Sequence, residues 1–167
     1  MSDGQHVLRR DQVEFEPSSF ADKTGRVFYW NDRVFRQVRD ADAWSIYRRL
    51  LASDISSKLF AHGMLATWIP SDVCLDGSLG VLEHKSIDYV SYPAEWTPRM
   101  LWDAARRYVQ CAAILAQEDL IFKDCHSHNV LFDYCEPTII DFGAIGHISG
   151  PSSWITGLRM FFVQPLW

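Results

Sequence analysis

The first strong pattern of hydrophobic positions is GRVFYWNDRVFRQV, in which two runs rich in β-branched and aromatic residues flank Asn31 and Asp32. Such runs are typical of β-strands, and asparagine and aspartate tolerate the positive φ angles of tight hairpin turns. The pattern therefore predicts a β-hairpin over residues 25 to 38. Gly25 begins this pattern, where a glycine permits a turn, which the local sequence favours, or the close approach of a ligand. Residues 1 to 21 are polar without a sustained period, so we expect a flexible lead-in.

A helical period replaces the strand pattern after the hairpin. Apolar residues recur at spacings of three and four between residues 42 and 63, with a second start at Ser53, which predicts two short helices or one bent helix. Residues 65 to 92 mix short apolar runs with turn residues, which predicts two or three strands that join the hairpin in a small antiparallel sheet. A long helix over about residues 98 to 117 follows, because Thr97 is a good N-cap and a proline suits the first helical position.

A second hairpin is predicted near the end of the chain. NVLFD and PTIIDFG are short apolar runs, and the residues around Tyr134 to Pro137, where the two runs meet, are typical of a turn. Paired antiparallel strands bring their outer ends together. We therefore expect Asn129 and Asp141, which lie at those ends, to be neighbours in space.

Composition places the chain among folded proteins of single-domain size. Of its 167 residues, 48% are hydrophobic and only 22% are charged, unlike the composition of disordered chains. The formal net charge of -5 argues against nucleic acid and anionic membranes as partners, because both attract basic surfaces. We expect no transmembrane segment, since no apolar run approaches the roughly 20 residues that span a bilayer. Four scattered cysteines and an N-terminus without a signal-peptide core favour a reducing, cytoplasmic location.

The stretch FKDCHSHNVLFDYCEPTIIDFGAIG, residues 122 to 146, concentrates polar side chains in an apolar setting. Asp124 and Asn129 are separated by four residues, and Asp141 follows twelve residues after the asparagine. Phosphoryl transfer depends on positioning a hydroxyl group and on clamping Mg²⁺ and phosphates with oxygen ligands. One aspartate to accept a hydroxyl proton, with an amide oxygen and a second carboxylate for the metal, meets that need.

Two histidines and two cysteines in the same stretch raise the alternative of a zinc site. These residues are Cys125, His126, His128 and Cys135. Each type is a competent zinc ligand, but their spacing is not that of structural zinc motifs. The aspartates and the asparagine explain the same stretch better.

The motif FKDCHSHNVLF…TIIDFG is similar to the catalytic and metal-binding loops of the protein-kinase-like fold. Its D-x-H-x-x-N form resembles the small-molecule branch, the aminoglycoside and choline-type phosphotransferases, more than protein kinases. The resemblance implies an α+β, two-lobed fold with ATP and Mg²⁺ as cofactors and a small hydroxyl-bearing acceptor. It also implies that Asp124 is the catalytic base and that Asn129 and Asp141 hold Mg²⁺. In the same way, His126 is expected to brace the loop by hydrogen bonding.

A second resemblance covers about residues 18 to 167. The blocks DKTGRVFYWNDRVFRQV, IDYVSYPAEWTPRMLWDAA, FKDCHSHNVLF and PTIIDFGAI resemble the kinase-like region that accompanies certain bacterial class I SAM-dependent methyltransferases, including nodulation-protein relatives. In that group the loop reads lysine, aspartate, a few small or aromatic residues, then asparagine. Lys123, Asp124 and Asn129 follow this order and make the lysine a further candidate catalytic residue.

The same resemblance implies a domain organisation. After the lead-in, residues 22 to 93 form a reduced N-terminal lobe with its antiparallel sheet and hinge. Residues 94 to 167 form an incomplete, mainly helical C-terminal lobe that contains the catalytic-loop hairpin. The hinge is expected to line an adenine pocket with Asp88, Tyr89 and Val90.

The N-terminal lobe departs from the kinase pattern in three ways. Arg36 stands where an ATP-binding lysine is expected, and an arginine is a rigid fork rather than a compact point charge. The helical segment from 42 to 60 contains no glutamate to pair with this cation. The glycine-rich phosphate loop is reduced to Gly25. Arg36 and Gly25 are therefore predicted nucleotide contacts with altered geometry.

Two hypotheses of function follow. The first is an ATP- and Mg²⁺-dependent phosphotransferase that acts on a small hydroxyl-bearing acceptor. The second is a kinase-like binding module without activity that docks on a methyltransferase or another partner chain, because contiguous exposed apolar surface marks interaction sites. The apolar face expected to lack partners within the chain consists of Trp154, Leu158, Phe161, Phe162 and Trp167.

Overall fold

The computed structural model describes residues 6 to 147 and 153 to 166, and the chain divides into two compact units. Unit 1 comprises Met1–Ser53 and Ala66–Ser86, and unit 2 comprises Asp54–Leu65 and Ile87–Trp167. Both contain helices and strands, so the fold belongs to the α+β class. Unit 1 ends at Ser86, a few residues before the end predicted for the N-terminal lobe at residue 93. Within the described residues, no helix has the length and hydropathy that a transmembrane span needs.

Unit 1 is built on a five-stranded antiparallel sheet. The predicted hairpin over residues 25 to 38 is confirmed, and its turn residues Asn31 and Asp32 have φ angles of 50° and 58°. Its strands are β2 (Glu14–Phe15), β3 (Gly25–Trp30), β4 (Arg33–Val38), β5 (Thr67–Trp68) and β7 (Gly80–His84). They lie in the order β2-β3-β4-β7-β5 across the sheet.

Two further strands of unit 1 lie outside this sheet. β6 (Val73–Leu75) pairs in parallel with β1 (His6–Leu8). Residues 65 to 92 thus contain three strands, within the predicted two or three, but only two of them join the sheet. The expected lead-in also differs from the structure, because residues 6 to 21 contain β1 and β2. Strands of two or three residues are too short to produce a readable alternation in the sequence.

The first of the two predicted short helices, α1 (Ala41–Leu51), follows β4 directly. Asp40 caps it by accepting a hydrogen bond from the backbone N–H of Ala43 at 2.8 Å. The ring of Trp44 packs on Gly80 of β7, where a β-carbon would lie 2.4 Å from the ring. A glycine at this strand position therefore lets the helix approach the sheet closely.

Unit 2 contains the second short helix, α2 (Asp54–Ala61), and the long helix α3 (Pro98–Leu115). The predicted long helix is confirmed, with Thr97 as its N-cap. Its buried residues recur at helical spacing and form one face: Ala104, Ala105, Tyr108, Cys111, Ala112 and Leu115. Two antiparallel pairs follow, β8 (Leu120–Phe122) with β11 (Ile145–His147) and β9 (Val130–Asp133) with β10 (Glu136–Ile139).

The last described segment packs onto the rest of unit 2. It consists of α4 (Ser153–Leu158) and a π-helical turn, Arg159–Val163, followed by residues 164 to 166. Phe162 is 0% exposed and meets the ring of Tyr108 edge-on at 5.4 Å between centroids. The expectation that this face lacks partners is therefore wrong for Phe162, because the turn directs its ring into the core. Trp167, named in the same expectation, lies outside the described residues.

Candidate functional site

The candidate acidic and amide residues lie on the connections between the strands of unit 2. Asp124 follows β8, Asn129 directly precedes β9, and Asp141 follows β10. The backbone N–H of Ile140 donates to the carbonyl of Asn129 at 2.9 Å, which extends the hairpin ladder by one residue beyond β9 and β10. Asn129 and Asp141 therefore lie at the same end of the hairpin, as the sequence predicts.

Tyr108 of α3 connects this hairpin end with the loop that carries Asp124. Its buried hydroxyl donates a hydrogen bond to the carbonyl of His126 at 3.3 Å. Burial is the main cause of its raised pKa, and the neighbouring Cys125, Asp141 and Asp124 raise the pKa further. Electrostatic influence falls with distance, so both aspartates lie close enough to this phenol for their charges to act on it. The structure thus brings the two carboxylates into one region of unit 2.

Lys123 lies along β11. Its backbone N–H donates to the carbonyl of Ala144 at 2.7 Å, and its aliphatic stem crosses Gly146. A β-carbon at Gly146 would lie 2.8 Å from the lysine Cδ, so the glycine makes room for the stem. The lysine is exposed, as is Asp124, so the first two residues of the loop are accessible to a ligand.

Hydrogen bonding by His126 stabilises the turn that leads to Asn129. Its Nδ1 accepts from the backbone N–H of His128 at 3.1 Å, while Phe161 packs on the ring with centroids 3.7 Å apart. Burial lowers the pKa of His126, the charge of His128 lowers it further, and Asp124 opposes both. A neutral imidazole can accept this bond, which agrees with the bracing role expected from the sequence.

The residues of the zinc alternative have different environments. Cys125 is buried, and burial with the nearby Asp124 raises its thiol pKa to about 12, whereas Cys135 is exposed. Across residues 6 to 147 and 153 to 166, no three histidine, cysteine, aspartate or glutamate side chains are grouped to hold a metal ion.

Asn129 and Asp141 form a different kind of donor set. An amide oxygen and a carboxylate are hard ligands, and Mg²⁺ is usually held by one or two carboxylates together with water and substrate phosphates. Their shared position at the hairpin end fits such an ion. These two residues would hold it, with the remaining positions left to water and phosphate oxygens.

Unit 1 contains an ion pair that the sequence reasoning missed. Arg36 of β4 is 6% exposed, and its guanidinium donates to the carboxylate of Asp22. The kinase pattern places an acidic partner on the helix that follows, whereas Asp22 precedes β3. The available signal was the D-x-T pattern of Asp22 and Thr24, which is typical of a side chain that accepts from the backbone two residues later.

Gly25 and the predicted hinge residues occupy contrasting positions. A β-carbon on Gly25 would lie 1.9 Å from the carbonyl oxygen of Gln37, so close contact between β3 and β4 already requires glycine. Asp88, Tyr89 and Val90 lie outside helices and strands, and all three are exposed. Their contacts with a nucleotide stay a prediction.

Comparison with known proteins shows a distant similarity to a curated protein. No protein-family model matches the chain. The chain is similar to nodulation protein NoeA of Rhizobium meliloti (strain 1021), with 28% identity over 174 aligned residues. The alignment covers 99% of this chain and 36% of NoeA, so the chain spans about a third of the length of that relative.

Proposed function

We propose that the chain is a kinase-like protein that transfers the γ-phosphoryl group of ATP, with Mg²⁺, to a hydroxyl group of a small acceptor. The observation that carries the proposal is the end of the second hairpin, where Asn129 and Asp141 lie together and the charge of Asp124 reaches the same region. Phosphoryl transfer needs this combination of a base and oxygen ligands more than it needs covalent chemistry.

The architecture of unit 1 supports a kinase-like, two-lobed fold. Arg36 lies on the third strand of its sheet in chain order, and α1 follows that strand. Protein kinases carry the lysine that contacts the phosphates on their third strand, followed by a helix. In this proposal, unit 1 corresponds to the N-terminal lobe and unit 2 to the start of the C-terminal lobe.

Each candidate residue of unit 2 has a distinct task in the proposed reaction. Asp124 is exposed. It accepts the proton of the acceptor hydroxyl while the hydroxyl oxygen forms a bond to the γ-phosphorus. The bond from that phosphorus to the bridging oxygen breaks, and ADP leaves with the electron pair. Asn129 and Asp141 would hold Mg²⁺, which neutralises phosphate charge when bound. His126 acts as a positioning residue through its hydrogen bond within the loop.

The Asp124→Asn variant tests this proposal. We expect its ADP release from Mg-ATP, assayed with aminoglycosides, choline and simple sugars as acceptors, to fall about 10²- to 10⁴-fold, because a positioned base contributes that much. Its thermal stability should stay unchanged, since Asp124 is exposed.

Asp119→Asn is the matched control for this experiment. Asp119 is an exposed aspartate of the same unit with a φ of 55°, a conformation that asparagine also adopts readily. The control should release ADP at the wild-type rate. Equal rates for wild type and Asp124→Asn on every acceptor would refute the assignment.

A catalytically impaired binding module is the second candidate function. It is favoured by the pairing of Arg36 with Asp22, which engages the cation that a nucleotide would use. Docking on a methyltransferase or another chain would then involve the exposed apolar side chains of the last segment, Ile155, Met160 and Val163. A folded wild-type chain without ADP release would favour this candidate over the enzyme.

A further inference from the structure

The carboxylate of Asp22 is surrounded by hydrogen-bond donors. It accepts from the backbone N–H of Thr24 at 2.8 Å and from the Thr24 hydroxyl at 2.7 Å. The Arg36 guanidinium is a third donor. Burial raises the pKa of the Asp22 carboxyl, but Arg36, Thr24 and the backbone N–H of Gly25 outweigh it, so the pKa is lowered. Converging amides, a hydroxyl and a guanidinium are the groups with which proteins bind phosphate oxygens.

The segment before β3 holds Asp22 in this position. Arg39 Nη2 donates to the backbone carbonyl of Asp22 at 2.9 Å, and the backbone N–H of Arg39 donates to Thr24 at 2.8 Å. The Asp22 side chain is 31% exposed, whereas that of Arg36 is 7% exposed. Solvent therefore reaches the carboxylate, while the cation lies behind it.

The buried charge of Arg36 needs a compensating anion. An ion pair removed from water gains little net stability, but removal of one partner leaves an uncompensated buried charge. The Arg36 guanidinium thus requires an anion, which the chain itself supplies. A phosphate offers more charge and more acceptor oxygens than a carboxylate, and it matches the fork of an arginine.

We propose that this cluster is a phosphate-binding site filled by the chain's own Asp22 carboxylate, which a phosphate group of a ligand must displace. The inference rests on the proposed function in taking that phosphate to belong to a nucleotide. Asp22 then acts as an internal competitor that keeps nucleotide affinity low until the segment before β3 moves. The arginine in place of the kinase lysine thus becomes part of a built-in control of phosphate binding in unit 1.

The test is calorimetric titration of the full chain with inorganic pyrophosphate and with ATP, both without Mg²⁺. Asp22→Asn should bind pyrophosphate at least about tenfold more tightly than the wild type, because the competing charge is gone. Asp32→Asn, an exposed residue of the first turn, removes the same charge elsewhere in unit 1 and should show no gain. Arg36→Gln combined with Asp22→Asn should abolish the gain.

A second variant keeps the test decisive if Asp22→Asn does not fold. Arg39→Gln removes the anchor of the Asp22 backbone at an exposed residue and leaves the donors in place. We expect roughly two- to threefold tighter pyrophosphate binding, although loss of a positive charge would otherwise weaken it. Absence of a gain in the folded variants would overturn the inference, even if the wild type releases ADP. Tighter pyrophosphate binding by a chain that releases no ADP would support the inference and count against the proposed phosphotransferase activity.

Discussion

Replacement of Phe162 by alanine is expected to lower the free energy of unfolding by about 3 to 5 kcal/mol, the usual cost of truncating a buried aromatic ring. Phe162 is fully buried, and its edge-on contact with Tyr108 is lost in the variant. Urea denaturation followed by far-UV circular dichroism measures the change.

Val163→Ala is the matched control, because this neighbour is 37% exposed and its truncation leaves no closed cavity. We expect a loss of less than about 1 kcal/mol for the control. Similar losses for the two variants would mean that the last segment does not pack on α3. The comparison also decides whether this segment presents Phe162 to a partner or keeps it within unit 2.

The Asp141→Asn variant is expected to lose about 10³-fold in Mg²⁺-dependent ADP release, because one of two protein ligands for the ion loses its charge. The Mg²⁺ concentration required for half-maximal rate should rise at the same time. Rates measured across a Mg²⁺ titration separate this effect from a loss of the base at Asp124.

Asn129→Asp provides the comparison for the metal assignment. It keeps an oxygen ligand at the hairpin end and should retain Mg²⁺ dependence, whereas Asn129→Leu should lose it. If Asp141→Asn requires the same Mg²⁺ concentration as the wild type, the two residues are not the metal ligands. Circular dichroism of each variant shows whether the hairpin is intact.

Elements with strong local signals were predictable from the sequence. Asn31 and Asp32 suit positive φ angles whatever the rest of the chain does, and Thr97 followed by proline starts a helix locally. The second hairpin is equally local, which is why the neighbourhood of Asn129 and Asp141 could be predicted. Its turn is shorter than expected, since β10 begins at Glu136 and includes Pro137.

Features that depend on distant partners were not predictable in this way. The pairing of β1 with β6 joins segments far apart in the chain, and neither strand has a readable period. The burial of Phe162 depends on Tyr108, which lies in a helix more than fifty residues earlier. Likewise, the D-x-T pattern marks Asp22 as a local hydrogen-bond acceptor, but its pairing with Arg36 depends on the contact between the segment before β3 and β4.

The Asp22–Arg36 pair changes how the departures from the kinase pattern are interpreted. From the sequence, an arginine without a helix glutamate predicts nucleotide contacts with altered geometry. In the structure the arginine is buried and paired with a carboxylate. The other donors to this carboxylate are of the kind that bind phosphate oxygens in proteins. If the pair reflects lost nucleotide binding, Asp22→Asn should leave the phosphate affinity unchanged. If the pair controls nucleotide binding, the variant should bind phosphate more tightly.

Calorimetric titration of the chain with ATP, with and without Mg²⁺, tests most directly the claim that the second hairpin holds a metal-bound nucleotide. We expect binding of one ATP per chain that is at least about tenfold tighter with Mg²⁺, and loss of that difference in Asp141→Asn. An ATP affinity that is the same with and without Mg²⁺ would contradict the claim.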